Sequence, residues 1–260
     1  MSFPGPRPRK EPSPPFKDPN PDKELNNRKL TTIGKRIKNK AKTKIDKIKL
    51  EEFAKKTICK QVDYSTCNDS KQIEIVNNTI YDSMKEFHMK YKLLEVRFDN
   101  GHFAAYLPSE EEDYIGRIAI GTNQEIKSNK GINLKNDKMR NFYINYHNGK
   151  LGSGGIHSMF CFPSDKYSQT KAAVLHEMGH HLHFNDRFFD RINTYLGIDK
   201  SVGKYDRNLE NYKEYAITDR AKYNLAECIA ENFAIYNSSS KSELNPKMIR
   251  MLDLMKKGNW

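Results

Sequence analysis

The sequence predicts an α+β domain preceded by a basic, disordered tail. Three observations carry that prediction. Strand-like runs cluster in the first part of the domain and helix-like runs in the second. Roughly two hundred residues after the tail are ample for one buried core. Residues 1–60 hold 18 Lys and Arg against 7 Asp and Glu, a net of +11, so nearly all the formal charge of +12 sits in that quarter of the chain. The boundary is placed between a tail, residues 1–57, and a domain, residues 58–260.

Within the tail, residues 1–30 are rich in Pro, charge and Asn, as in Pro4–Lys10 and Pro12–Pro15, and cannot bury enough apolar surface to fold. Lys35–Lys49 could become a basic helix, so residues 31–50 are the candidate contact for an anionic partner, nucleic acid or a membrane surface. No aromatic residue interleaves those lysines, which argues against base stacking on a single strand.

The elements follow in order. Val62–Ser65 reads as a turn, and apolar spacing from Ile73 to Phe87 predicts a helix over 71–91. Strands are expected near 93–98, 102–107 and 114–122. Asn141–Tyr146 and His157–Phe162, separated by the turn-rich His147–Gly155, predict a hairpin over 141–162. Together these suggest a small, antiparallel-type sheet. Helices are expected over 168–184, 187–196, 207–217, 222–237 and 246–257.

The most specific feature is His176-Glu177-Met178-Gly179-His180, an H-E-x-x-H pattern inside the helix over 168–184. Histidines at i and i+4 stack on one helix face, so both imidazoles can bind one metal ion, while Glu177 sits about 100° round the helix and can act as a general base. Leu175, Met178 and Leu182 supply a core stripe, and Ala172, Ala173 and Gly179 permit close packing. A catalytic zinc needs a third protein ligand. Asp186 stands where one zinc-peptidase class places its last ligand, but that class needs a glycine where this chain has His183. Glu227 is the better candidate. It lies in the amphipathic segment Tyr223–Tyr236, one turn before Glu231, and two carboxylates on an otherwise apolar helix are costly to bury unless paired or bound to metal. Glu231 would then accept from the free ring nitrogen of a ligand histidine.

This arrangement, H-E-x-x-H followed some fifty residues later by Glu227-x-x-Ala230-Glu231-x-Phe233-Ala234, resembles the gluzincin metallopeptidases, in particular their lethal-factor-like branch. That branch includes domains in phage head proteins, mobile elements and secreted toxins. The resemblance implies a zincin-like fold, Zn2+ held by His176, His180 and Glu227, Glu177 as catalytic base and Glu231 behind a ligand. It extends to Tyr215-Ala-Ile-Thr218-Asp219, which looks like the branch's tyrosine segment and gives Tyr215 the role of stabilising the transition state. The gap from Tyr215 to Glu227 is about one helical turn longer than usual, which leaves Tyr223 as the substitute. The likeness covers residues 170–236.

The implied reaction is peptide-bond hydrolysis by a zinc-activated water. In this clan a peptide joins an exposed sheet edge by main-chain hydrogen bonds, so a polypeptide substrate is expected along an edge strand near residues 155–162. Two other classes are weighed: a non-catalytic structural or partner-binding protein on the same fold, which an intact Glu177 argues against, and a nucleic-acid accessory protein acting through the basic tail.

Four cysteines, at 59, 67, 161 and 228, are not spaced as a metal cluster. Cys228 is expected as a reduced core thiol, and Cys59 and Cys67 could bridge. There is neither the apolar core of a classical signal peptide nor a long apolar run, which predicts no membrane span and a cytoplasmic or virion-associated protein.

Overall fold

Alternating apolar residues build the sheet. In the computed structural model, Leu94, Val96 and Phe98 of Leu93–Asp99 are buried, while Glu95, Arg97 and Asp99 take the other face. There Arg97 pairs with Asp99 at 3.1 Å and approaches Glu95 at 3.7 Å. The structure describes residues 46–101, 104–111, 113–122, 166–184, 186–199, 201–218, 220–237 and 241–260. The expected hairpin over 141–162, with the substrate strand near 155–162, lies outside them, as do residues 1–45.

Four strands form one sheet: β1 (Cys59–Asp63), β2 (Leu93–Asp99), β3 (Ala104–Glu111) and β4 (Tyr114–Gly121), in the order β1-β2-β4-β3. The antiparallel-type sheet expected from the sequence is corrected here, because β1–β2 and β2–β4 are parallel and only β3–β4 is antiparallel. The reason is the connections. A helix of 17 residues, α2 (Ser70–Glu86), crosses between β1 and β2, and such a crossover joins parallel neighbours. From β2 the chain runs to the outer edge as β3 and turns back, so β4 fills the place beside β2. β1 also takes in Val62 and Asp63, where the sequence predicts a turn.

α2 begins at Asp69, whose side chain accepts from the Gln72 amide, and stops at Glu86 rather than near 91. His88 takes a positive φ of 51°, which a helix cannot continue through. A helix through residues 46–57 (α1) packs Leu50, Phe53 and Ala54 on the core and accepts a hydrogen bond at the Leu50 carbonyl from Asn77. The packed unit therefore includes these residues, ahead of the boundary at 58 expected from composition.

The helix carrying H-E-x-x-H, α3 (Lys166–Phe184), runs through the centre of the domain, and every residue from Ala172 to Phe184 is buried. It packs against α2, β3 and β4, against α4 (Asp186–Leu196), and above all against α5 (Leu225–Tyr236). Burial on all sides explains its many apolar and small residues. His181 ties it to the sheet: Nε2 donates to the Tyr91 carbonyl at 3.1 Å, and the Tyr106 hydroxyl lies 3.4 Å from Nδ1. Burial pushes the His181 pKa down to about 4, so the ring is neutral.

α4 ends in a Schellman turn, with Ile198 N–H on the Asn193 carbonyl, Gly197 N–H on the Thr194 carbonyl, and Gly197 at φ 78°. The helix expected over 207–217 is absent, and only a short 3-10 turn forms at Leu209–Asn211. Here the backbone closes single turns instead, Tyr212, Tyr215 and Ala216 donating to the Leu209, Tyr212 and Lys213 carbonyls, with tertiary partners at and before the segment. The carbonyls of Lys204 and Asp206 accept from Ala226 and Leu225 at the start of α5, and the Tyr215 carbonyl accepts from Asn232. The final helix, α6 (Pro246–Lys256), starts with Asn245 as cap and Pro246 in its first turn. Cys59, Cys67 and Cys228 are separate buried thiols, so Cys59 and Cys67 do not bridge. Among the described residues no helix is long and apolar enough to cross a membrane.

The closest helix contact is between α3 and α5. A Cβ placed on Gly179 would lie 2.6 Å from Ala230 Cα and 2.9 Å from Phe233 Cβ, so α5 backbone occupies the space a side chain needs. Gly179→Ala is expected to destabilise the fold by about 1–3 kcal/mol, the cost of overpacking outweighing alanine's better helix propensity. Urea denaturation measures it, and an unchanged midpoint would show that the helices can part freely.

Candidate metal centre

The α3–α5 contact determines what the two helices present to each other. His176 and His180, one turn apart on α3, face α5 with ring centroids 4.9 Å apart and planes at 81°. On α5, Asn224 caps the helix by accepting the Glu227 amide at 2.9 Å, which places Glu227 in the first turn and Glu231 one turn later. Starting the helix at Leu225 rather than near 222 follows from that cap.

Three ligand atoms then converge. Glu227 Oε2 lies 3.1 Å from His176 Nε2 and 3.6 Å from His180 Nε2. One such atom from each of the three residues fits within 4.8 Å of the others, a group that could hold a metal ion. Glu231, fully buried, brings Oε1 to 2.9 Å from His176 Nδ1, a contact that is short but not well aligned as a hydrogen bond. A carboxylate behind one ring nitrogen leaves the other for the metal. The second oxygen of Glu231 accepts from Thr218 Oγ1 at 3.0 Å, and Thr218 Oγ1 in turn accepts from the Ala221 amide. Glu177 is buried beside this group and is not one of the three ligands.

The electrostatics agree with a cation site. Burial works against a protonated His176, but the Glu227 and Glu231 carboxylates outweigh it and push its pKa up to about 10. Burial also opposes ionisation of Glu227, yet His176 and His180 hold its carboxyl well below the usual range. Burial raises Glu177 above the ordinary carboxylate value, with the two histidines pulling the other way. With neutral imidazoles, three carboxylates (Glu177, Glu227, Glu231) stand against one guanidinium, that of Arg220. Carboxyl groups outnumber cationic side chains there, which favours a bound cation, and two imidazole nitrogens with one carboxylate oxygen form a set that suits zinc. The residues fit the ion.

Compared with models of known protein families, with curated proteins and with solved structures, the chain matches none.

The structure thus brings together His176, Glu177, His180, Glu227 and Glu231. It does not bring in the tyrosines. Tyr215 is buried and its hydroxyl donates to the Leu196 carbonyl at 2.7 Å. Tyr223 is 63% exposed, with the Arg207 guanidinium 5.3 Å from its ring centre. The Asp186 side chain lies outside the described residues. Two neighbours of the site escaped sequence reasoning. Arg220 donates from Nε to Glu227 Oε2 at 2.8 Å and from Nη2 to Oε1 at 3.0 Å, from an irregular loop whose spacing carries no signal. Tyr106 of β3 lies along His180 with ring centroids 6.2 Å apart, and only the sheet order brings it there.

A metal ion must displace the proton that the two carboxylates hold on His176. At pH 7, binding is expected to release roughly one proton, with affinity rising through the neutral range. In the metal-free chain this raised pKa stabilises the fold fully below the ordinary histidine value of 6.5, and the contribution fades as pH climbs towards about 10. Titration calorimetry with zinc in buffers of different ionisation enthalpy counts the proton, and zero release would mean His176 is already neutral.

Proposed function

We propose that this chain is a zinc-dependent endopeptidase of gluzincin type, with His176, His180 and Glu227 as metal ligands and Glu177 as general base. One observation carries the reading: Glu227, from a helix some fifty residues downstream, meets both histidines of H-E-x-x-H, with Glu231 behind His176. A group of buried imidazoles and carboxylates converging on one point is costly for a structural core and suited to a metal.

When bound, zinc would supply Lewis acidity to the scissile carbonyl and acidify the attacking water. The chain's residues do the rest. Glu177 takes the proton from that water and returns it to the leaving amine, and its raised pKa brings it closer to neutral pH, where a base and acid in turn works best. Glu231 and Thr218 hold the His176 ring so that Nε2 points at the site. Arg220 and the Asn224 cap hold the Glu227 carboxylate. A polypeptide substrate is proposed to pair along an edge strand near residues 155–162. Among the described strands, β3 is the sheet edge that packs on α3.

Zinc content by emission spectroscopy and cleavage of fluorescently labelled casein test the reading. Wild type is expected to carry one zinc per chain. Glu177→Gln should keep it and lose hydrolysis by about 100-fold or more, and Glu227→Ala should lose most of the metal. Full zinc affinity in Glu227→Ala, with loss in Asp186→Ala, would move the third ligand to Asp186.

A further inference from the structure

We propose that Arg220 stabilises the negative charge that develops on the substrate carbonyl oxygen during hydrolysis, the role expected of a tyrosine. The proposal rests on the peptidase reading. Four features of Arg220 support it.

First, the guanidinium is in the right place. Its Nε lies 2.8 Å from Glu227 Oε2, the same oxygen that faces both imidazoles. Second, it is on the open side. The side chains of His176, His180, Glu227 and Glu231 are exposed by 1%, 10%, 14% and 0%, whereas that of Arg220 is 46% exposed. A polypeptide has to approach the buried ligands from an accessible side, and Arg220 is an exposed cation bonded directly to one of them. Third, it has donors to spare. The fork on Glu227 uses Nε and Nη2, so Nη1 has no partner among the described residues.

Fourth, the loop holding it is fixed at both ends. Thr218 accepts the Ala221 amide while donating to Glu231, and Asn224 caps α5 at Glu227. Between them the Tyr223 amide donates to the Arg220 carbonyl at 3.0 Å. Donors held in place before the reaction stabilise a developing oxyanion without reorganising, and a guanidinium keeps its charge at any working pH. Tyr215, by contrast, would have to give up a buried hydrogen bond to Leu196.

Arg220→Ala, Arg220→Gln and Arg220→Lys separate this role from merely positioning Glu227. The probes are casein cleavage and calorimetric binding of an end-blocked phosphinic peptide, whose phosphinate oxygen mimics the oxyanion. Arg220→Ala and Arg220→Gln are expected to keep stoichiometric zinc, to lose about 100- to 1,000-fold in kcat with a small change in KM, and to lose phosphinic affinity in proportion. Arg220→Lys, which keeps the charge but not the fork, should recover part of both. Loss of zinc in these variants would reduce Arg220 to a positioning residue. Unchanged phosphinic affinity would remove it from the site, and loss of kcat and phosphinic affinity in Tyr215→Phe would return the role to the tyrosine. A wild type that cleaves nothing would sink the peptidase reading and the proposal with it, whereas a wild type that cleaves no faster than Arg220→Ala would sink the proposal alone.

Discussion

At Gly179 the backbone of α5 comes within what would be 2.6 Å of a methyl group, and this approach of α3 and α5 governs the rest of the site. At that separation a carboxylate in the first turn of α5 and a second one turn later reach the two nitrogens of a single imidazole. His176 is therefore gripped from both sides, by Glu227 at Nε2 and by Glu231 at Nδ1. Its orientation is imposed by the facing helix as much as by its own. Ligand geometry becomes a property of a helix–helix distance, which packed backbones hold far more firmly than a loop could.

The same closeness creates an electrostatic problem that the molecule solves in two ways. An uncompensated carboxylate in such a place would cost several kcal/mol, and three are present. In the metal-free chain the compensation comes from Arg220 and from a proton retained on His176. A divalent ion held by His176, His180 and Glu227 would take the place of that proton and supply the counter-charge itself. The two histidines hold the Glu227 carboxyl well below its usual range, and on the proposed reading what changes is the identity of the cation. Glu177 is the exception. It lies outside the ligand group, and burial raises its pKa above the ordinary carboxylate value.

How much of this could be read from the chain follows from which features are periodic. His176, His180, Glu227 and Glu231 announce themselves because each pair sits one helical turn apart, and the Asn224 cap marks where the second helix begins. Strand β2 is legible for a related reason, since its alternation of buried and half-buried residues is a local signal. Sheet order is not. That β4 lies between β2 and β3, making two pairings parallel, depends on a crossover through α2 and on where β3 docks, and neither is encoded in any one stretch. The segment from 201 to 218 misleads for the complementary reason. Within it the helix expected over 207–217 gives way to single turns, Tyr212, Tyr215 and Ala216 donating to the Leu209, Tyr212 and Lys213 carbonyls, and the Tyr215 carbonyl is taken by Asn232. Tyr215 is the costliest case. It stands near a recognisable motif, yet its hydroxyl serves the Leu196 carbonyl, and the group that reaches Glu227 is an arginine from an aperiodic turn.

That aperiodic turn explains why the charged group need not belong to a helix. Ordering a free arginine side chain costs about 1.5–2 kcal/mol of conformational freedom, a cost usually charged to binding or to the barrier. Here the fork on Glu227 orders the guanidinium before any substrate arrives, and Thr218 and Asn224 fix the backbone beneath it. Each of those anchors also serves a metal-site residue: Thr218 holds Glu231, and Asn224 holds Glu227. The loop, the carboxylates and the histidine rings therefore form one connected network. On the proposed reading, a substrate entering on the exposed side of Arg220 would meet donors already aligned by the same bonds that align the candidate ligands, so positioning the ion and positioning the reacting carbonyl would become a single structural requirement.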